Sequence, residues 1–65
     1  MILVVDVGNT HIVLGAFEGK ELLASWRLST IEERTADELG MLLLSLFEHE
    51  KLKVEKVEAV IISSV

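Results

Sequence analysis

We expect this chain to fold as an α/β protein whose mixed sheet is built in the order β-β-β-α-β. Two short apolar runs, residues 1–5 and 12–17, flank a segment of turn-forming residues. A third strand-like run follows, and it precedes a segment with the helical period and a final run rich in β-branched residues. Short turns join the first three strands into an antiparallel meander, whereas a strand that follows a crossover helix pairs parallel with the first strand.

The first three strands are predicted over residues 1–5, 11–17 and 22–28. Gly19 lies in the polar segment between the second and third strands, where a tight turn needs glycine. Because successive strand residues point to opposite faces, the third strand predicts one face made of Leu22, Ala24, Trp26 and Leu28 and another made of Leu23, Ser25 and Arg27.

A helix is predicted from Ala36 onward, after a polar connection over residues 29–34. Thr35 and Glu38 have the spacing of a capping box, in which each side chain accepts from the backbone amide of the other residue. Apolar residues then recur with the helical period at positions 36, 39, 42, 43, 46 and 47. Gly40 costs about 1 kcal/mol relative to alanine, so we expect the helix to pack closely on the sheet there.

The last strand is predicted over residues 57–65, and the sequence stops within it. Domains rarely end inside a buried strand, so residues 1–65 are expected to be the amino-terminal portion of an incomplete domain. A chain of this length buries only about 60% of its unfolded surface, which leaves little stability for an isolated piece.

The composition excludes several classes of function. Eleven acidic residues outweigh six basic ones, and the net charge of −5 predicts no nucleic-acid partner. No cysteine is present, which excludes disulfides and thiolate metal sites. No apolar stretch approaches the length of a membrane span and no signal segment opens the chain, so we expect a cytoplasmic protein without a membrane partner.

The turn between the first two strands carries the strongest functional signal, Asp6-Val7-Gly8-Asn9-Thr10. Asp6 offers carboxylate oxygens to a hard cation such as Mg²⁺ or to its bound water. Gly8 is expected at positive φ, a region that Asn9 also tolerates, so that the backbone can approach an anion closely. The amides of Asn9 and Thr10, with the Thr10 hydroxyl, then converge on phosphate oxygens.

An ordinary hairpin turn is the alternative, because Gly-Asn between apolar runs is common turn chemistry. Two features favour a phosphate site instead. Asp6 ends a strand that is expected to be buried on both faces, where an unpaired carboxylate is costly. The turn also lies at the strand ends, where α/β proteins commonly bind ligands.

Other polar residues have weaker claims to a functional role. Arg27 is expected on the outer face of the third strand and Arg34 in a local pair near the helix start, although guanidinium groups also suit phosphate. Thr30 lies in a connection where such residues are common with or without a ligand. His49 is expected to be solvated at the helix end, and Ser63 has no histidine base nearby in sequence that would make it a nucleophile.

The element order and the Asp-x-Gly-x-Thr turn resemble the front part of a lobe in the superfamily of acetate and sugar kinases, heat-shock chaperones and actin, whose mixed sheet is ribonuclease H-like. Four segments along essentially the whole chain resemble one of its families, the type III pantothenate kinases: Asp6-Val-Gly-Asn-Thr10, Trp26-Arg-Leu-Ser-Thr30, Arg34-Thr-Ala-Asp-Glu38 and Ile61-Ile-Ser-Ser-Val65. The first motif is shared across the superfamily, whereas the four at this spacing are specific. His11 stands where this family commonly has asparagine, and Leu39 where it often has an aromatic residue.

The resemblance implies an enzyme that uses ATP to phosphorylate pantothenate to 4′-phosphopantothenate, the first step of coenzyme A biosynthesis. It also implies a divalent cation with ATP (Mg²⁺), a monovalent cation (K⁺ or NH₄⁺) and a homodimer. It assigns the metal to Asp6, directly or through water. It assigns the ATP phosphates to one segment, made of Asp6, Val7, Gly8, Asn9, Thr10, His11, Ile12 and Val13.

The same resemblance limits what this segment does alone. The general-base aspartate, the pantothenate pocket and the second phosphate motif lie later in family sequences, so we expect the segment alone to be inactive. Three alternatives stay open: an ATP-driven switch of the actin or chaperone kind, a non-catalytic regulator, and a kinase of another small metabolite.

Overall fold

The computed structural model describes residues 1–30 and 35–64. In chain order its elements are β1 (Ile2–Val7), β2 (His11–Glu18), β3 (Glu21–Ser29), α1 (Ala36–His49), a short 3₁₀ helix (Val54–Lys56) and β4 (Ala59–Ser64). The predicted α/β order is therefore confirmed. The expected local pairing of Arg34, and Val65 at the end of the final strand, lie outside the described residues.

The strands form one mixed sheet in the order β3-β2-β1-β4. β1 pairs antiparallel with β2 and parallel with β4, as the connections between them predicted. The register places Asp6 of β1 between Val13 of β2 and Ser63 of β4. Because β1 has a neighbour on each side, the position of Asp6 is fixed by two strand pairings.

A small core lies between α1 and one face of the sheet. Its buried residues are Met1, Leu3, Leu14, Ala16 and Phe47. The ring of Phe47 stacks on Trp26 of β3, with ring centroids 5.5 Å apart and planes inclined by 28°. Such a pair contributes about 0.5–1.5 kcal/mol beyond the area that it buries. Phe47 is in the last turn of α1, so the helix is anchored to the sheet near its carboxyl end.

The start of α1 packs less closely than predicted. The described residues leave an apolar cavity of about 290 Å³ between helix and sheet, with Leu39 and Leu43 on its helix side. A Cβ built on Gly40 would meet no atom within 4 Å. The prediction of close packing at Gly40 is therefore wrong for the described residues, since open space and not another backbone faces this position.

The predicted capping box is present at the start of α1. The Glu38 N–H donates to Thr35 Oγ1 at 3.1 Å, and the Thr35 N–H donates to Glu38 Oε1 at 3.0 Å. After the helix, Lys51 has a φ of 59°, a left-handed conformation typical of helix ends. No helix in the described part of the chain is long and apolar enough to cross a lipid bilayer.

β3 departs from the predicted alternation at its start. Ala16 pairs with Ala24 but Phe17 pairs with Leu22, so Leu23 is the extra residue of a β-bulge. Cross-strand partners share a face, and Leu22 therefore lies with Phe17 on the side away from α1. The predicted placement of Leu22 on the core face is wrong because the bulge reverses the alternation at that point. The remaining predicted core-face residues of β3 are partly buried, as expected.

The face of the sheet away from α1, here called the outer face, is open among the described residues. Ile2 is 36% exposed, Val13 43% and Ile61 55%. The prediction that β1 is buried on both faces is therefore wrong for residues 1–30 and 35–64, because α1 covers only one face. Asp6, on the outer face, is likewise exposed.

Candidate phosphate-binding site

Residues 8–10 form the turn between β1 and β2. Val7 and Ile12 are the last strand pair before it, and the Gly8 N–H closes it with a 2.9 Å hydrogen bond to the carbonyl of His11. Because β1 and β2 are the two central strands of the sheet, the turn is held on a rigid support.

Glycine at position 8 is required by a close approach and not by its φ. Among the described residues only Gly19 and Lys51 have positive φ, so the positive φ expected at Gly8 is wrong, and Asn9 does not adopt the left-handed region that it tolerates. A Cβ at Gly8 would instead lie 3.0 Å from the carbonyl oxygen of His11. Four residues separate the last strand pair, Val7 and Ile12, and hairpin loops of this length are most often built around a type I turn, which has no positive φ. The backbone conformation of the turn therefore does not distinguish a phosphate-binding turn from an ordinary one.

The turn offers amide donors to a ligand. The N–H groups of Asn9 and Thr10 donate to no acceptor among the described residues, and both residues are exposed. The Gly8 N–H, by contrast, is used to close the turn. Two successive amides in a turn, together with a neighbouring hydroxyl, make a set of donors that suits an anion.

Thr30, the residue after β3, braces this turn. Its hydroxyl donates to the Gly8 carbonyl at 3.2 Å, and its N–H donates to the Thr10 carbonyl at 2.9 Å. Both carbonyl groups are thereby satisfied within the protein. Sequence reasoning gave Thr30 no specific task, because its partner Gly8 lies 22 positions away along the chain.

The carboxylate of Asp6 is oriented by Ser63. The Ser63 hydroxyl donates to Asp6 Oδ1 at 3.1 Å, since the parallel register of β1 and β4 places the two residues side by side. Oδ2 accepts no hydrogen bond from the described residues. Sequence reasoning considered Ser63 only as a nucleophile. The signal that would have found this role is the parallel pairing of the first and last strands, both of which were predicted.

Two further polar residues lie near the site: His11 is the first residue of β2, and Arg27 is on β3. The Thr10 hydroxyl oxygen is 3.0 Å from Nδ1 of His11. Arg27 pairs with Val13, whose other partner is Asp6, so Arg27 and Asp6 share the outer face. The expected outer-face position of Arg27 is therefore confirmed.

The other residues of the predicted segment serve the sheet. Val7 and Ile12 pair with each other and line the apolar cavity beneath α1. Val13 lies between Asp6 and Arg27 on the outer face. None of these three side chains carries a hydrogen-bonding group, so the polar part of the site consists of Asp6 and residues 8–11.

This donor set fits a nucleotide phosphate with one hydrated divalent cation. Asp6 has one carboxylate oxygen that no described residue engages, and the two turn amides are available to phosphate oxygens. Within the described ranges, no group of three or more His, Cys, Asp or Glu side chains is arranged to hold a metal. Mg²⁺ does not need one, because it commonly takes one or two carboxylates and fills its shell with water and substrate phosphates.

Comparison with known proteins agrees with this fold. The family model described as type III pantothenate kinase matches residues 2–65. A curated protein named type III pantothenate kinase, from an Exiguobacterium species, is 57% identical over 65 residues, which are 100% of this chain and 26% of that relative. The chain thus spans about a quarter of that relative's length. Its mixed sheet and single described α-helix agree with the amino-terminal lobe of an actin-like kinase, and the chain belongs to the type III pantothenate kinase family.

Proposed function

We propose that this chain is the amino-terminal part of an enzyme that transfers the γ-phosphoryl group of ATP to pantothenate. The product is 4′-phosphopantothenate, and the reaction is the first step of coenzyme A biosynthesis. One observation carries the proposal: the turn at residues 8–10 has unused amide donors and follows the Asp6 carboxylate at the end of a central strand. Family membership supplies the reaction class.

In this proposal the turn binds the phosphates of ATP. The amides of Asn9 and Thr10 donate to phosphate oxygens, and the Thr10 hydroxyl is a third donor. Asp6 holds a divalent cation, directly or through water, and Ser63 fixes the orientation of its carboxylate. The cation, Mg²⁺, supplies neutralisation of phosphate charge when it is bound. The chain's net charge of −5 repels a nucleotide, and the amide donors and the bound cation offset this repulsion at the site.

The segment contributes phosphate positioning, and the rest of the enzyme contributes the acceptor site. The chain covers 26% of its relative, and we place the general base, the pantothenate pocket and the adenosine pocket in the remainder. Phosphoryl transfer depends on holding both substrates and the metal together, so residues 1–65 alone have no kinase activity. As the family resemblance implies, the whole enzyme is a cytoplasmic homodimer that requires K⁺ or NH₄⁺.

The test is ATP-dependent phosphorylation of pantothenate by the full-length protein that carries this segment, with and without K⁺ or NH₄⁺. We expect 4′-phosphopantothenate, detected by mass spectrometry, and a rate that depends on the monovalent cation. The isolated segment is the negative control, and turnover by it would contradict the assignment of the catalytic base to the remainder.

The other outcomes each point to a different function. ATP binding without product would replace the kinase by a nucleotide-driven switch or a regulator. Phosphorylation of a different small alcohol would keep the ATP site and change the acceptor. Failure to bind ATP would return the turn to the ordinary hairpin alternative.

A further inference from the structure

The hydroxyl of Thr30 controls which way one peptide unit of the turn points. It donates to the carbonyl oxygen of Gly8 at 3.2 Å, and this hydrogen bond has a single direction because a carbonyl oxygen only accepts. A second hydrogen bond, from the Thr30 N–H to the Thr10 carbonyl at 2.9 Å, holds the backbone of Thr30 beside the turn. Because Thr30 is half-buried, these hydrogen bonds are stronger than they would be in water.

The orientation of the Gly8 carbonyl determines the orientation of the Asn9 amide. The two groups belong to one peptide unit, which is planar, and no cis peptide bond occurs among the described residues. In a trans peptide unit the C=O and N–H bonds point in opposite directions. The Asn9 N–H therefore points away from Thr30, and it donates to no acceptor within residues 1–30 and 35–64.

Glycine makes this peptide unit easy to turn over. Gly8 has no Cβ, so rotation about its ψ angle meets little steric resistance. A flip of the peptide unit would place the Gly8 carbonyl oxygen where the Asn9 N–H now lies, and an acceptor there would repel phosphate oxygens. The hydrogen bond of the Gly8 N–H does not prevent this flip, because that N–H belongs to the preceding peptide unit. Within the described part of the chain, the Thr30 hydroxyl is the group that opposes it.

We propose that Thr30 is a positioning residue for the phosphate-binding turn: its hydroxyl holds the Gly8–Asn9 peptide unit so that the Asn9 amide faces the phosphates of ATP. The inference rests on the proposed function, since it requires nucleotide phosphate at this turn. Thr30 does not donate to phosphate itself, because its one hydroxyl proton is used by Gly8. Its effect is to orient the amide donor before ATP arrives, so that binding does not have to order the turn.

The test measures the dissociation constant of Mg²⁺-ATP and the KM values for ATP and pantothenate with the full-length protein. Thr30→Val removes the hydroxyl and keeps the branched shape, whereas Thr30→Ser keeps the hydroxyl and removes the methyl group. Thr35→Val is the matched control, because it also removes a threonine hydroxyl that bonds to the backbone, but at the start of α1 and outside the turn. Urea denaturation gives the stability of each variant.

We expect Thr30→Val to raise the dissociation constant and the KM for ATP by about three- to tenfold, the effect of losing one hydrogen bond. The KM for pantothenate should stay unchanged, because we place the pantothenate pocket outside this segment. Thr30→Ser should keep the ATP affinity of the wild type. Thr35→Val should keep it as well, although it loses stability through its broken cap.

Wild-type ATP affinity in Thr30→Val would overturn the inference while leaving the ATP site in place. A loss of ATP affinity in Thr30→Ser would overturn it too, since the methyl group and not the hydroxyl would then matter, and this arm holds even if Thr30→Val does not fold. An equal loss in Thr35→Val, or an equal rise in the KM for pantothenate, would assign the effect to general destabilisation. If the wild type binds no ATP, the proposed function itself fails, and the two failures are therefore distinguishable.

Discussion

At the scale of single residues, Gly8 shows why this turn tolerates so little change. A methyl group there would lie 3.0 Å from the backbone oxygen of His11, and that oxygen cannot rotate away because it accepts the Gly8 N–H. We expect Gly8→Ala to destabilise the full-length protein by about 1–3 kcal/mol through this overlap. ATP affinity should fall as well, because the turn that carries the amide donors must shift. Chemical denaturation and ATP titration would measure the two effects.

Gly19→Ala is the matched control for that substitution. Gly19 lies in the turn at the other end of β2, with a φ of 58° and no atom within 4 Å of its Cβ position. Alanine there should cost about 1 kcal/mol through backbone strain and leave ATP binding unchanged. If both variants lowered ATP affinity equally, the effect of Gly8→Ala would reflect general destabilisation and not the turn.

Asp6 is a second residue at which a single group, the side-chain carboxylate, is expected to control turnover. Asp6→Asn keeps the size of the side chain and an oxygen for Ser63, but it removes the negative charge that we propose holds the cation. We expect turnover of pantothenate by the full-length enzyme to fall by about 100-fold or more, or ~3 kcal/mol of transition-state stabilisation. Asp37→Asn, at an exposed position in α1, should leave turnover unchanged. An unaltered rate for Asp6→Asn would remove the metal role.

At the scale of secondary structure, the start of α1 depends on two reciprocal hydrogen bonds. Thr35→Ala removes the acceptor of the Glu38 N–H, so an otherwise satisfied amide loses its partner. We expect a loss of about 1 kcal/mol in the free energy of unfolding, measured by urea denaturation. Thr35→Ser keeps the hydroxyl and should retain most of the stability. Equal losses in both variants would show that the methyl group and not the cap matters.

The amino terminus joins three segments at the end of the sheet opposite the turn. The Met1 ammonium lies 3.1 Å from Oε2 of Glu18, the last residue of β2, and 3.5 Å from Oε1 of Glu58, just before β4. It also donates to the Lys56 carbonyl at 3.0 Å. The hydrogen bond to Glu18 raises the pKa of the Met1 amino group above its ordinary value of 8.0, although desolvation opposes the shift. The charged amino group therefore ties β1 to both of its neighbours.

This pairing predicts a pH dependence of stability. A pKa raised in the folded state contributes stability that is fully present below the unfolded value near pH 8.0 and is lost as the pH rises through the folded value. We expect the free energy of unfolding to fall above pH 8.0, and Glu18→Gln to reduce that fall. Glu21→Gln, across the same turn, is the control. Identical pH profiles for Glu18→Gln and the wild type would contradict the pairing.

At the scale of the whole molecule, the described residues form a sheet covered on one side. The strand β4 is exposed along its length, and Ile61 and Ile62 are 55% and 67% exposed. Only a handful of the described side chains are buried, so within residues 1–30 and 35–64 the apolar outer face and the free edge of β4 are in contact with water. A surface of this kind favours association or loss of structure when it is uncovered.

We therefore expect the isolated 65-residue segment to self-associate or to lack cooperative folding. Sedimentation velocity and urea denaturation followed by circular dichroism would measure this, with the full-length protein as the reference. Ile61→Lys, on the outer face, should reduce association of the segment, whereas Lys20→Glu, in the turn between β2 and β3, should not. A monomeric segment with a single cooperative transition would contradict the expectation.

Local chemistry made much of this fold predictable. The element order, the capping box at Thr35, the turn at Gly19 and the parallel last strand all follow from periodicity, capping pairs and connection length, which act over a few residues. That Asp6 and residues 8–10 bind phosphate stays a prediction, which rests on a carboxylate, a glycine and short donors being adjacent in sequence. The turn itself was predicted between the correct two strands. The reason for glycine at position 8 was not predicted. Local preferences suggest positive φ, whereas the actual constraint is the short distance from a Cβ at Gly8 to the carbonyl oxygen of His11.

The contacts that depend on the register between distant segments could be found only from the tertiary structure. Ser63 meets Asp6 across 57 positions, and Thr30 meets Gly8 across 22. The bulge at Leu23 moves Leu22 to the outer face, against the alternation of its own strand. A shift of one residue in strand pairing would exchange the faces and remove these contacts, and no local pattern sets that register. The sequence alone therefore defines which groups the turn contains, and the packing of β1 against β2 and β4 decides which partners hold them in place.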